Sequence, residues 1–138
     1  MPGWGTGSFE NEDAQNFLGE LKSLQPDDLR SRLARAADQE SYLEAKESTV
    51  AIAAAETIAA LVETEDSPES AVPPPQILDW IKQNRPAITP DLPQFRDLAT
   101  RAVERVRTNS ELKDLWLEAE GLNEWSKALR DLQQRLTL

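Results

Sequence analysis

The sequence predicts an all-α protein, a single compact bundle of about six to seven helices packed around a central alanine-rich helix. Three observations predict it. Apolar residues recur at three- and four-residue spacing along most of the 138 positions. No alternating apolar/polar run is long enough for a strand. Each periodic segment is bounded by a capping residue, a proline or a glycine. No repeat is visible, so residues 1–138 form one expected domain, with an internal proline-rich linker at about 64–75.

The chain opens Met1-Pro2-Gly3-Trp4-Gly5-Thr6-Gly7-Ser8-Phe9-Glu10-Asn11. Large aromatics offset their ordering cost only when buried, so Trp4 and Phe9 predict an ordered segment docked on the bundle. Asn11 caps a first helix, whose Glu12 and Asp13 suit the positive end and whose Phe17, Leu18, Leu21 and Leu24 form one stripe. Pro26 starts a second helix with Leu29, Leu33, Ala36 and Ala37 inward. Residues 38–43 read as a connection with Tyr42 and Leu43 tucked in.

The third helix, about residues 45–63, is apolar nearly all round. Val50, Ala54, Ile58, Leu61 and Val62 make a broad core face, and Thr49, Ala53, Glu56, Ala60 and Glu63 line the other side. Such a helix belongs at the centre of a bundle. Pro73-Pro74-Pro75 marks a stiff connector. A short helix with Ile77, Leu78, Trp80 and Ile81 is expected to stop before Pro86. The next runs from about Leu92-Pro93 to about Arg107, on Leu92, Phe95, Leu98, Ala99, Ala102, Val103 and Val106. Ser110 caps another with Leu112, Leu115 and Trp116. Gly121 breaks the chain, and a last helix from Asn123 buries Trp125, Ala128, Leu129, Leu132 and Leu136.

Charge narrows the function classes. The net charge is −10, and the imbalance lies wholly in residues 1–75, which hold 15 acidic and 5 basic side chains. Residues 76–138 hold 10 of each. Nucleic acid and anionic lipid should be repelled, and a basic protein attracted. With no cysteine and no histidine, disulfide, thiolate and imidazole chemistry are absent. No segment reads as a leader or a membrane span, so a cytoplasmic protein is expected. No cofactor and no metal site are expected, because paired carboxylates such as Glu44/Glu47 lack a metal-loop spacing.

Two features invite a functional reading. Gly3, Gly5 and Gly7 suggest a phosphate cradle, but no strand precedes them and no lysine follows at the required offset. Gly5 and Gly7 instead make the turns that point Trp4 and Phe9 inward. Glu56, set among alanines, suits acid–base chemistry if it lacks a partner. A buried carboxylate is more often held by a cation or by hydrogen bonds. Arg101, Arg105, the Trp4 indole and the amides of the glycine turn are its candidate partners. The expected role is a structural clasp from Glu56 to Arg105 or to the N-terminal segment. Trp80, Trp116 and Trp125 fall on apolar stripes, although one could serve as an exposed anchor.

The stretch Trp4-Gly5-x-Gly7-x-Phe9-Glu10-Asn11 followed by Phe17-Leu18 resembles the opening of an uncharacterised bacterial family, domain of unknown function 4259. Ala53-Ala54-Ala55-Glu56, then Arg105-Val106-x-x-Asn109-Ser110-Glu111-Leu112, then Leu115-Trp116 and Trp125 carry the resemblance onward. It implies a small bacterial protein with no established activity, of a kind that sometimes accompanies toxin genes as an immunity protein. The expected function is therefore a non-enzymatic acidic protein-binding module, an immunity- or antitoxin-like inhibitor of a basic bacterial protein. Asp38, Glu40, Glu44 and Glu47 are its expected contact surface. The alternative is a carboxylate-dependent hydrolase or a small-ligand-binding protein using Glu56. Oligomeric state is left open.

Overall fold

The computed structural model describes residues 12–66 and 74–137, with side chains from Glu12 to Glu63 and from Pro74 to Thr137. Trp4, Gly5, Gly7, Phe9 and Asn11 lie outside the described residues, as does most of the proline-rich linker. Seven α-helices are described: α1 (Glu12–Leu21), α2 (Pro26–Asp38), α3 (Ala45–Asp66), α4 (Pro75–Ile88), α5 (Leu92–Thr108), α6 (Glu111–Glu118) and α7 (Leu122–Thr137). A 3-10 turn, Thr89–Asp91, joins α4 to α5. No strand occurs among the described residues.

Helix α3 is the axis of the bundle. It contacts each of the other six helices. Its alanines explain how: Ala51, Ala53, Ala54, Ala55, Ala59 and Ala60 are all buried, and small side chains let several backbones approach one helix from different sides. All seven helices contribute to one continuous apolar core, with Phe17, Leu33, Ile58, Phe95 and Leu132 deep inside it. The expected stripe of α5 is buried from Phe95 to Val106, with Leu92 partly buried at its start.

Local chemistry sets the helix starts. Pro26 occupies the first position of α2, and the Asp28 carboxylate accepts from the Gln25 amide at 2.8 Å. Ser110 begins α6 by accepting from the Lys113 amide at 3.1 Å. Its hydroxyl donates back to the Val106 carbonyl at 2.6 Å, closing the end of α5. The Trp80 indole donates to the Leu24 carbonyl at 2.9 Å, fastening α4 to the turn between α1 and α2.

Three expectations are corrected. Helix α3 runs to Asp66, so the connector is shorter than 64–75. Helix α4 passes through Pro86 to Ile88. Pro86 is exposed and sits in the last turn, so its missing N–H frees only the carbonyl of the exposed Lys82, while Ile88 is fully buried and draws the turn inward. Tyr42 points outward, 54% exposed, whereas Leu43 is buried as expected.

The break after α6 also differs in detail. Glu120 is the left-handed residue, at φ 62°, and the Gly121 amide donates to Trp116 O at 3.1 Å while the Glu120 amide donates to Leu117 O at 3.2 Å. That pair of bonds is a Schellman cap. Gly121 is needed for space: a Cβ there would lie 2.8 Å from the Trp116 ring. Trp116 in turn stacks on Trp125, centroids 6.4 Å apart, joining α6 to α7.

Candidate functional site

The Glu56 side chain meets α7 rather than α5. Its two carboxylate oxygens lie 3.1 and 3.0 Å from Arg135 Nη1, and Arg135 Nε donates to Glu63 Oε1 at 2.5 Å. Glu56 and Glu63, two turns apart, thus grip one guanidinium. Burial disfavours the Arg135 charge, but the two carboxylates outweigh it and its pKa is raised. Neither candidate arginine fills this role. Arg101 pairs with Asp97 and with Asp38, each at 3.0 Å. The reason is register: the alanine face of α3 that carries Glu56 and Glu63 is turned toward the C-terminal half of α7.

Arg105 is a clasp of another kind. Its guanidinium donates to the carbonyls of Gln39, of Ser41 (2.8 Å) and of Asn109 (2.9 Å). The first two belong to the connection between α2 and α3. Glu111 completes the grip. Its amide donates to Leu43 O at 2.9 Å, and its carboxylate accepts from the Ala45 amide at 2.8 Å. A carboxylate from α6 therefore caps the first turn of α3, whose free amides attract negative charge. The run Arg105 to Glu111 has a structural meaning: it ties residues 39–45 to the end of α5 and the start of α6.

That pinned connection carries the expected contact residues, unevenly. Glu40 and Glu44 are exposed and form no ion pair among the described residues. Asp38 is engaged by Arg101. Glu47 is half-buried and lines a cleft of about 680 Å³ between α1, α2 and α3, together with Asp13, Arg32, Arg35, Lys46 and Phe17. Charges of both signs share that cleft, so it is not part of a one-sided acidic face.

The structure adds residues from α6. The Tyr42 hydroxyl donates to Asp114 Oδ2 at 2.6 Å. That bond, with a small desolvation effect and the nearby charges of Asp114, Glu111 and Glu118, pushes the phenol up to about 12. Leu117, 56% exposed, stands on the same helix. The outcome is a face bearing Glu40, Tyr42, Glu44, Asp114, Leu117 and Glu118. Sequence reasoning missed the α6 members, although Glu111, Asp114 and Glu118 have the 3- and 4-residue spacing of one helical face. Nothing local linked that face to residue 42.

Among the described residues no group of three or more Asp or Glu side chains is placed to hold a metal. No helix among them is long and apolar enough to cross a membrane. Comparison of the chain with curated proteins and with solved structures found no match. A family comparison matched residues 3–128, nearly the whole length. The chain belongs to the family described as Domain of unknown function (DUF4259).

Proposed function

We propose that the protein is a non-enzymatic binding module whose acidic face docks on a basic surface of another protein, as an immunity- or antitoxin-like inhibitor in the bacterial cytoplasm would. One observation carries the reading. An exposed tyrosine is held by Asp114 in a segment whose backbone is pinned by Arg105 and Glu111, and unpaired carboxylates flank it. Tyrosine is a frequent interface anchor, and a pre-ordered segment loses little conformational freedom on binding. The surrounding carboxylates would speed encounter with a cationic partner and make it salt-sensitive. Asp38 and Glu47 contribute less, because Arg101 already compensates one and the other lies in a mixed-charge cleft.

The hydrolase reading of Glu56 has no comparable support, since both oxygens of that carboxylate meet Arg135. The test is co-expression and co-purification with the product of the adjacent open reading frame, with growth as a second readout. Tyr42→Ala combined with Glu40→Lys and Glu44→Lys should abolish capture and protection, while Glu56→Gln retains both at reduced stability. Capture unaffected by the triple change, or a turnover lost on Glu56→Gln, overturns the proposal.

A further inference from the structure

A second surface has the opposite sign. Where the last turn of α5, the first turn of α6 and the start of α7 meet, a pocket of about 300 Å³ is lined by Arg107, Lys113, Arg130, Thr108, Asn123 and Ser126. Three cations and no carboxylate line it, on a chain of net charge −10. Lys113 and Arg130 form no ion pair among the described residues, and Arg130 makes only a long 3.5 Å bond to the Ser126 hydroxyl. Arg107 gives one nitrogen, Nη2, to Glu104 at 2.7 and 2.8 Å. Its charge is thereby compensated at the pocket's edge, which leaves Lys113 and Arg130 as the two lining cations without a carboxylate partner among the described residues.

The backbone around the pocket favours an anion. The first intrahelical bond of α7 runs from the Trp125 amide to Gly121 O at 3.1 Å, so the amides of residues 122–124 precede it without a helical acceptor. The opposing influence, the negative end of α5, is reduced at those carbonyls of its last turns that find donors. The Glu104, Arg105 and Val106 carbonyls accept from the Thr108 hydroxyl, the Asn109 amide and the Ser110 hydroxyl. The Lys113 and Arg130 cations, the Ser126 hydroxyl, the Asn123 side chain and a helix start converge on one small volume.

We propose that this pocket binds the phosphoryl group of a small molecule. The volume suits inorganic phosphate or one phosphoryl group with little attached to it. A polyanion is disfavoured by the field of the rest of the chain. The inference is independent of the partner-binding reading, because no residue of the pocket belongs to the acidic face.

The experiment is an NMR amide-shift titration of the full chain with inorganic phosphate, against sodium chloride at equal ionic strength. The expected result is saturable shifts confined to residues 107–113 and 122–130. Arg130→Gln, at an exposed position, should weaken binding by about tenfold, as expected for loss of one charge-assisted contact. Lys113→Gln should act similarly. Lys127→Gln, which removes the same charge elsewhere on α7, should change the affinity by less than about twofold, because screened surface charges act weakly at a distance. Melting temperatures in chloride should be equal for Arg130→Gln and the parent. Shifts that do not saturate, that chloride reproduces, or that Arg130→Gln leaves intact overturn the proposal.

Discussion

The acidic face and the cationic pocket share α6 yet are built in opposite ways. The face is held by backbone contacts: Arg105 and Glu111 bond to main-chain groups of residues 39–45 and leave Glu40, Tyr42 and Glu44 displayed. The pocket is held by side-chain packing, with the Trp116–Trp125 stack and the cap at Glu120–Gly121 setting how α7 approaches α6. The same short helix presents Asp114 and Glu118 to one and Lys113 to the other. Net charge thus describes the long-range field of this molecule but not the chemistry of either surface.

If the face depends on the backbone clasp, its removal should be felt there first. Arg105→Met should destabilise the protein by about 3 kcal/mol, since several hydrogen bonds from a charged donor are lost and the carbonyls they served are only partly rehydrated. Urea unfolding measures the loss, and hydrogen exchange should accelerate in residues 39–45 before elsewhere. Uniform acceleration would mean that Arg105 does not act locally.

The pocket is sensitive to a different change. Gly121→Ala places a methyl against the Trp116 ring and should cost about 2 kcal/mol as the tryptophan stack shifts. Near-ultraviolet circular dichroism should report the shift. Affinity for phosphate should fall with it, whereas exchange in residues 39–45 should hardly change.

The smallest effect is the most local. Tyr42 is the only tyrosine of the chain, so phenolate absorbance reports it alone. Its folded-state pKa is raised from 10.0 to about 12, chiefly by the bond to Asp114. The neutral phenol is the favoured form, so its contribution to stability is intact below pH about 10 and is lost as pH rises toward about 12. Asp114→Asn should move the absorbance midpoint back toward 10. A midpoint near 10 in the parent would show that the Tyr42–Asp114 bond does not persist in solution.

Much of the fold was legible because helix periodicity is a short-range property. Phe17 and Leu18, Leu29 and Leu33, and the α5 stripe each announce their inner face within one or two turns of sequence. The central place of α3 was readable for the same reason, since a helix apolar on every side has nowhere else to go. Prolines were a weaker guide: Pro26 marked a start correctly, but Pro86 did not stop α4, because a proline in an exposed last turn removes little.

The sites were less legible. Glu56 was recognised as a carboxylate in need of a partner, but Arg135 lies 79 residues away. Arg105 was expected to pair with Glu56, and its partners are instead carbonyls, which carry no signature in the sequence. Tyr42 was expected inward together with Leu43, yet it points outward, bonded to a carboxylate of α6. The cations of the pocket lie on three helices with no pattern to unite them.

The sequence by itself determined which segments are helical, which side of each is apolar, and that the alanine-rich segment is the axis. Those properties follow from dihedral preference, capping and a 3.6-residue period, all settled within a few residues. Tertiary structure alone decided which groups meet: Glu56 with Arg135, Arg105 with the 39–41 carbonyls, and Arg107, Lys113 and Arg130 around one pocket. An alanine surface permits several helix registers, and the packing of α5, α6 and α7 around α3 selects one. Charged groups then pair according to that register, because the cost of leaving them unpaired falls with contacts no local pattern encodes.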